Sequence, residues 1–148
     1  MRFKKVSRVE EDIRLPERST KHSAGYDFFL IEDIEIPPFE AGIKPSMVPT
    51  GVKAYLDNDK FLMLTNRSSN PKKHNLVIPM SQGIIDADYY NNPDNEGEMF
   101  FAFYNFGTET VKLSKGDKIG QGIIMNYYKV DDDSSTAERS GGFGSTGD

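Results

Sequence analysis

One stretch of the chain reads Gly83-Ile84-Ile85-Asp86-Ala87-Asp88-Tyr89-Tyr90. Paired isoleucines favour a β-strand. Asp tolerates turn geometry, so the residues from Asp86 to Asp88 predict the tip of a hairpin. Strand alternation then places Asp86 and Ile85 on opposite faces. By itself the segment fits an ordinary acidic β-turn better than a catalytic one, so its meaning depends on the rest of the sequence.

Outward from this stretch, the chain consists of short apolar segments separated by Gly, Pro and Asn. Residues 61–64 form a fully apolar strand, residues 48–51 separate two short strands, and residues 98–106 are rich in aromatic side chains. A short helical turn is predicted over residues 69–74, where a Ser precedes a Pro near the first helical positions. No helical periodicity of useful length occurs, so the sequence predicts an all-β fold: a sandwich, a barrel or a jelly roll.

The composition indicates a single domain. The chain has 148 residues, of which 36% are hydrophobic and 28% charged, and this length is enough to bury a substantial core. The net charge of −5 argues against a nucleic-acid partner, which would require a basic surface. Without cysteine, the chain has no disulfide and no thiol nucleophile. No apolar run approaches membrane length, so we expect a cytoplasmic protein with no membrane partner.

Asp27 lies within the aromatic strand segment 26–30. A carboxylate in such a segment costs free energy unless it is paired, linked to a metal or facing a cavity. A strand-start Asp beside a loop would explain it equally well.

The last 18 residues differ in character from the body. Residues 131–148 contain four glycines and one large apolar side chain, so they cannot fold alone. Glycine permits close backbone approach to an anion, while Ser, Thr and Arg add donors. The sequence therefore predicts a β domain over residues 1–130 and a flexible Gly-rich arm over residues 131–148. A plain disordered tail is the alternative.

Taken together and in order, five segments resemble the five motifs of the homotrimeric dUTP pyrophosphatases (dUTPases). These segments are residues 24–28, 67–69, 83–89, 116–121 and 141–147. The resemblance covers most of the chain, and its third and fifth motifs are highly specific.

The resemblance implies a jelly-roll β-barrel that assembles as a homotrimer with three shared active sites. It also implies Mg²⁺-assisted hydrolysis of dUTP to dUMP and pyrophosphate, with the arm closing over bound nucleotide. Such an enzyme limits uracil incorporation into DNA and supplies dUMP for thymidylate synthesis.

Residue by residue, the resemblance implies that Asp86 activates the water that attacks the α-phosphorus. Tyr89 would pack against the deoxyribose and exclude a 2′-hydroxyl, and Asp27 would reach Mg²⁺ through water. Backbone groups of the segment holding Gly83 and Ile85 would read uracil. The remaining substrate-binding residues, for the phosphates and for stacking on the base, would be Arg67, Ser68, Ser69, Gln121, Arg139, Phe143, Gly144, Ser145 and Thr146.

The sequence departs from the motif pattern in several places. Arg139 is one residue closer to the Gly-Gly pair than in the commoner arrangement, and Asn70-Pro71 replaces the usual small or apolar pair after Arg-Ser-Ser. Lys118 stands where the fourth motif usually has Arg, so a bidentate contact is lost or moved. Met80 stands where an Asn often helps recognise the base. Residues 91–96 form an insertion in a normally tight connection, which we expect on the surface.

Two rival functions remain at this level. A dCTP deaminase-type enzyme resembles this family in fold and in the Arg-Ser-Ser segment, but Asp86 followed by Tyr89 favours dUTP hydrolysis. A non-catalytic regulatory binding protein on the same scaffold would use the 91–96 loop to contact a partner.

Overall fold

In the computed structural model, which describes residues 1–142, the regular structure is almost entirely β-strand. This confirms the all-β prediction. The strands are β1 (Arg2–Lys5), β2 (Glu17–Arg18), β3 (Tyr26–Phe29), β4 (Ile34–Ile36), β5 (Ser46–Pro49), β6 (Val52–Tyr55), β7 (Lys60–Thr65), β8 (Leu76–Val77), β9 (Gln82–Asp86), β10 (Phe100–Asn105), β11 (Val111–Leu113) and β12 (Lys118–Asn126). The helices are α1 (Ser69–His74) and a single 3₁₀ turn (Ala87–Tyr89).

The strands of residues 1–142 pair in four open antiparallel sheets. The largest has the order β2-β3-β12-β7-β9, so β12 lies at its centre and β9 at its edge. The smaller sheets are β5-β10-β8, β1-β6 and β4-β11. Within this part of the chain the strands do not close into a barrel.

The core is aromatic where β3, β10 and β12 pack together. The rings of Phe28 and Phe101 meet edge to face with centroids 5.5 Å apart, and both side chains are buried. Gly120 is required there, because a Cβ atom at this position would lie 2.1 Å from Cε1 of Phe101. This close approach brings β12 onto the core and places the residue that follows, Gln121, beside β3.

The predicted helical turn over residues 69–74 is confirmed in full by α1. Pro71 lies in its first turn, where a missing N–H costs little. Asn75 ends the helix in the left-handed conformation, with φ of 55°. The break between β5 and β6 also falls where Pro49 and Gly51 predict it.

The predicted hairpin tip at residues 86–88 is wrong. β9 ends at Asp86, and the chain enters the 3₁₀ turn instead of reversing. The physical reason is the anchoring of Tyr89, which is 5% exposed in the hydrophobic core and pulls the backbone inward. The predicted alternation is correct, since Ile85 is buried and Asp86 is exposed.

None of the helices within residues 1–142 is long and apolar enough to span a bilayer.

Candidate active site

A buried carboxylate organises one end of the central sheet. Asp27 on β3 is 2% exposed and pairs directly with Gln121 on β12. Its Oδ1 accepts a hydrogen bond from Nε2 of Gln121 at 3.1 Å and lies 3.6 Å from Nε of Arg67. Its Oδ2 accepts hydrogen bonds from Oγ of Ser19 at 2.5 Å and Nζ of Lys118 at 2.6 Å. We call these five residues the Asp27 cluster.

The donors around Asp27 decide its charge. Burial raises the pKa of this carboxyl, but the hydrogen bonds from Lys118, Ser19 and Gln121 outweigh burial and lower the pKa below its ordinary value. Asp27 is therefore an ionised, paired carboxylate. These partners offset the free-energy cost of burying a carboxylate in an apolar strand.

The metal role that the resemblance assigns to Asp27 is compatible with this arrangement. A carboxylate offers about four lone-pair positions. Hydrogen bonds from Ser19, Lys118 and Gln121 use three of them, and Nε of Arg67, at 3.6 Å, is beyond hydrogen-bond distance. The fourth position could accept a metal-bound water. Residues 1–142 contain no cluster of three or more carboxylate or imidazole groups suited to a metal ion.

The phosphate-binding candidates of the second motif stand beside this cluster. Arg67 is half-buried, and its Nη1 donates to the carbonyl of Lys118 at 3.1 Å. Ser68 and Ser69 follow at the start of α1, the first exposed and the second half-buried.

Asn70 anchors this segment to the sheet, and the sequence analysis did not identify that role. Its Nδ2 donates to the carbonyl of Ile119 on β12 and to Oδ1 of Asn66, each at 2.8 Å. Asn70 is 2% exposed. The sequence shows only that an Asn follows the Arg-Ser-Ser segment, whereas its burial, which requires partners for the amide, is a property of the tertiary structure.

The second group of candidates lies at the end of β9. Asp86 and Asp88 have side chains that are 53% and 58% exposed. They border an open groove of about 620 Å³, which Phe61, Ile84 and Tyr127 also line. This volume falls within the usual range for small-molecule sites.

Tyr89 forms the buried side of this group. Its hydroxyl donates to the carbonyl of Glu98 at 3.0 Å and accepts from Nδ2 of Asn95 at 2.7 Å. Burial raises the pKa of Tyr89, so the phenol stays protonated at neutral pH. The ring is thus held in one orientation beside Asp86.

The arm reaches the same place within one chain. Arg139 donates to Asp86 and to Asp88, and its guanidinium carbon lies 5.6 Å from the centroid of the Tyr89 ring. Gly142 donates its N–H to Oδ2 of Asp94 at 2.7 Å. The remaining arm candidates, Phe143, Gly144, Ser145 and Thr146, lie outside the described residues.

The candidate base-reading segment is the exposed edge of the sheet. β9 is the last strand of the five-stranded sheet, so alternate N–H and C=O groups point away from β7. The side chain of Ile85 is buried in the core, which leaves its backbone for recognition. An apolar pocket of about 170 Å³ lies along this edge and includes Met80, Gly83 and Ile84.

One chain does not bring the two groups of candidates together. Along β7, Phe61 pairs with Asp86, whereas Thr65 pairs with Gln121. Four residues of strand span about 13 Å, and Arg67 lies farther along the chain. Asp86 and the Asp27 cluster therefore occupy opposite ends of the same strand.

Comparisons with known proteins relate the chain to one enzyme family. The sequence profile of the dUTPase family matches residues 11–147. The chain is similar to the deoxyuridine 5′-triphosphate nucleotidohydrolase of Lactococcus lactis, with 47% identity over 137 residues, 91% of this chain and 89% of that protein. Its fold is also similar to that of a dUTPase from Streptococcus mutans, whose crystal structure superposes with a TM-score of 0.79. The two chains are 41% identical, and the match covers 87% of this chain and 98% of that one.

A more distant structure has the same fold. It is a dUTPase from phage phi11 of S. aureus, 24% identical with a TM-score of 0.71, and the match covers 93% of this chain and 96% of that one. That structure describes the coordination of a structural Mg(II) ion. The profile match across nearly the whole sequence, together with the identity to the L. lactis protein, leads to one conclusion: this chain belongs to the dUTPase family.

Proposed function

We propose that this chain hydrolyses dUTP to dUMP and pyrophosphate, and that Asp86 holds and deprotonates the water that attacks the α-phosphorus. One observation carries the proposal. An exposed carboxylate at a strand end borders a nucleotide-sized groove, three residues from a buried tyrosine that is fixed by two hydrogen bonds. An ordinary Asp is a weak base, so much of its effect is positioning of the water.

The nucleoside would be recognised along β9. The exposed backbone edge at Gly83 and Ile85 suits pairing with one edge of uracil, because both present alternating donors and acceptors. Tyr89 would pack against the deoxyribose and leave no room for a 2′-hydroxyl. Its burial supports this role, because a ring that cannot move aside discriminates by shape.

The triphosphate would be held by a second group of residues. Arg67, Ser68 and Gln121, with Ser69 beside them, supply the charged and polar donors that bind phosphate oxygens. They lie at the far end of β7 from Asp86. A complete site would therefore combine Asp86 of one copy with the Asp27 cluster of another, and the homotrimer with a jelly-roll body that the resemblance implies would provide such pairs of copies.

Mg²⁺ belongs to the proposal as the counter-ion of the triphosphate. It would supply charge neutralisation at the phosphates. Asp27 would reach this Mg²⁺ through a bound water, while its carboxylate oxygens hold Lys118 and Gln121 in place.

The body over residues 1–130 and the arm over residues 131–148 have separate roles in the proposal. Arg139 would move from the carboxylates onto phosphate oxygens when nucleotide binds, because a guanidinium recognises both groups with the same fork geometry. Phe143 would stack on uracil, and Gly144, Ser145 and Thr146 would donate to the phosphates. This enzyme would limit uracil incorporation into DNA and supply dUMP.

The experiment is a measurement of pyrophosphate release from dUTP, with dTTP, dCTP and UTP as parallel substrates, in Mg²⁺ and in chelator. We expect activity confined to dUTP and dependent on Mg²⁺. Ammonia release from dCTP would instead indicate a deaminase. Binding of dUTP without turnover would indicate a regulatory binding protein.

A further inference from the structure

The inserted loop over residues 91–96 lies on the surface, as expected, but it is built into the molecule. Asn92 is 6% exposed, and its Nδ2 donates to the carbonyl of Tyr89 at 2.9 Å. Its Oδ1 accepts the N–H groups of Asp94 and Asn95 at 3.1 and 3.2 Å. The loop therefore has an internal hydrogen-bonded framework that starts from the backbone of Tyr89.

Glu96 connects the loop to two residues that are distant in sequence. Glu96 accepts hydrogen bonds from the N–H of Ser7 at 2.9 Å and from its hydroxyl at 2.5 Å. It also pairs with Lys53, which is 7% exposed and donates to Oδ1 of Asn91 at 2.6 Å. These contacts fix the loop relative to β1 and β6.

At the loop's far end the backbone turns back against Tyr89. Gly97 has φ of +84°, and a Cβ atom there would lie 2.7 Å from the carbonyl oxygen of Tyr89. The close approach brings the side chain of Asn95 to the tyrosine hydroxyl.

We propose that Asn95 is a positioning residue for Tyr89, through which the inserted loop sets discrimination against ribonucleotides. The Tyr89 hydroxyl donates to the carbonyl of Glu98 and accepts from Asn95, so two hydrogen bonds from different directions help to define where the ring lies. The Oδ1 of Asn95 meanwhile accepts from Nδ2 of Asn92 at 2.8 Å and from the N–H of Gly97 at 3.0 Å. The loop thus holds the amide of Asn95 in place, and that amide in turn holds the hydroxyl of Tyr89.

The inference rests on the proposed function, because it requires Tyr89 to contact the sugar. Loss of the Asn95 contact would let the ring tilt away from the position where a 2′-hydroxyl clashes. UTP would gain from this freedom, whereas dUTP would gain nothing and would lose some orientation. The effect is therefore a change in the ratio of two substrates, which a general loss of stability does not produce.

The experiment uses the full chain with the variant Asn95→Asp. This isosteric change keeps the oxygen that Asn92 and Gly97 need and removes the N–H donated to Tyr89. We measure kcat/KM for dUTP and for UTP, with the thermal midpoint as a check of folding. We expect the preference for dUTP over UTP to fall by about 2- to 10-fold, the amount that one hydrogen bond can supply. Pro93→Ala, at an exposed position in the same loop, is the matched control and should leave the preference unchanged.

Tyr89→Phe keeps the test decisive if Asn95→Asp does not fold, and the double variant adds a further test where both changes fold. Tyr89→Phe removes the hydroxyl contact with Asn95 together with the one to the carbonyl of Glu98, and it should lower the preference at least as far. In the Tyr89→Phe background, Asn95→Asp should then have no further effect on the ratio. An unchanged preference in a folded variant, or an Asn95→Asp effect that persists without the hydroxyl, overturns the inference. Failure of the unaltered protein to hydrolyse dUTP would instead overturn the proposed function.

Discussion

Nη2 of Arg139 lies 2.6 Å from Oδ2 of Asp86, the carboxylate proposed to activate water. Nε of the same side chain lies 2.8 Å from Asp88, and Arg139 is only 10% exposed although its two partners are more than half exposed. In this state the guanidinium occupies one oxygen of the carboxylate that would hold the water. Under the proposed mechanism, nucleotide binding would draw Arg139 away from Asp86, because triphosphate oxygens are suitable new partners for the arginine.

The first prediction concerns Asp86 itself. Asp86→Asn should reduce turnover of dUTP by about 10²–10⁴-fold, because the amide keeps the shape of the side chain but cannot accept the proton. Binding of dUTP, measured by calorimetry, should be largely preserved. Asp88→Asn removes the same charge two residues away and should retain most of the turnover. Full activity in Asp86→Asn would contradict the assignment.

The second prediction concerns the arm. A chain that ends at Glu138 should lose most of its turnover, because it lacks Arg139 and the glycine-rich residues after it. Its thermal midpoint should stay close to that of the full chain, since ion pairs with carboxylates that are more than half exposed contribute only about 0–1 kcal/mol each to the free energy of unfolding. A large drop in the midpoint would show that the arm stabilises the body.

The third prediction tests whether the site is shared between copies. Asp86→Asn and Arg67→Gln should each be inactive alone. Mixed after joint unfolding and refolding, they should recover part of the activity, because some sites would combine an intact Asp86 from one copy with an intact Arg67 from another. Size-exclusion chromatography of the mixture gives the oligomeric state. Absence of recovery from properly assembled mixtures would argue for a site within one chain.

The fourth prediction follows from the ion pair that anchors the inserted loop. Hydrogen bonds from Lys53 and Ser7 lower the pKa of Glu96 from its ordinary 4.5 to about 2. The folded state favours the ionised carboxylate more than the unfolded state does. Ionised Glu96 therefore stabilises the fold above pH 4.5, and this contribution is lost as the pH falls toward 2. Glu96→Gln should therefore lower the thermal midpoint at pH 7, and the difference from the unaltered protein should shrink at acid pH. Glu40→Gln, at an exposed glutamate, should show no such pH-dependent difference.

The fifth prediction concerns the approach of β12 to the aromatic core. Gly120→Ala should reduce the free energy of unfolding by about 1–3 kcal/mol, the usual cost of overpacking, because its Cβ would overlap the ring of Phe101. Gly83→Ala is the matched control, since the nearest atom to its Cβ is 3.4 Å away. Denaturant unfolding of both variants checks the prediction. Equal stability of the two would contradict this account of the core.

Local sequence patterns predicted those elements whose structure depends on neighbouring residues. The run 61–64 became β7, the Pro and Gly between β5 and β6 ended both strands, and residues 69–74 became α1. In each case the signal and the structure lie within a few residues of each other. Asp27 was similarly identified as a carboxylate that needs partners, although its partners were not. Lys118 and Gln121 come from more than 90 residues away, and no local pattern indicates such a pairing.

The sequence by itself determined the family and the all-β class and supplied the candidate site residues, because motif order and strand alternation are properties of the chain alone. Only the tertiary structure decided how those residues are used. It turned the stretch after Asp86 into the core instead of a hairpin, since Tyr89 gains more from burial and from its bonds to Asn95 and Glu98 than a turn could supply. It also placed Asp86 and the Asp27 cluster at opposite ends of β7, because antiparallel register is set by packing between distant strands.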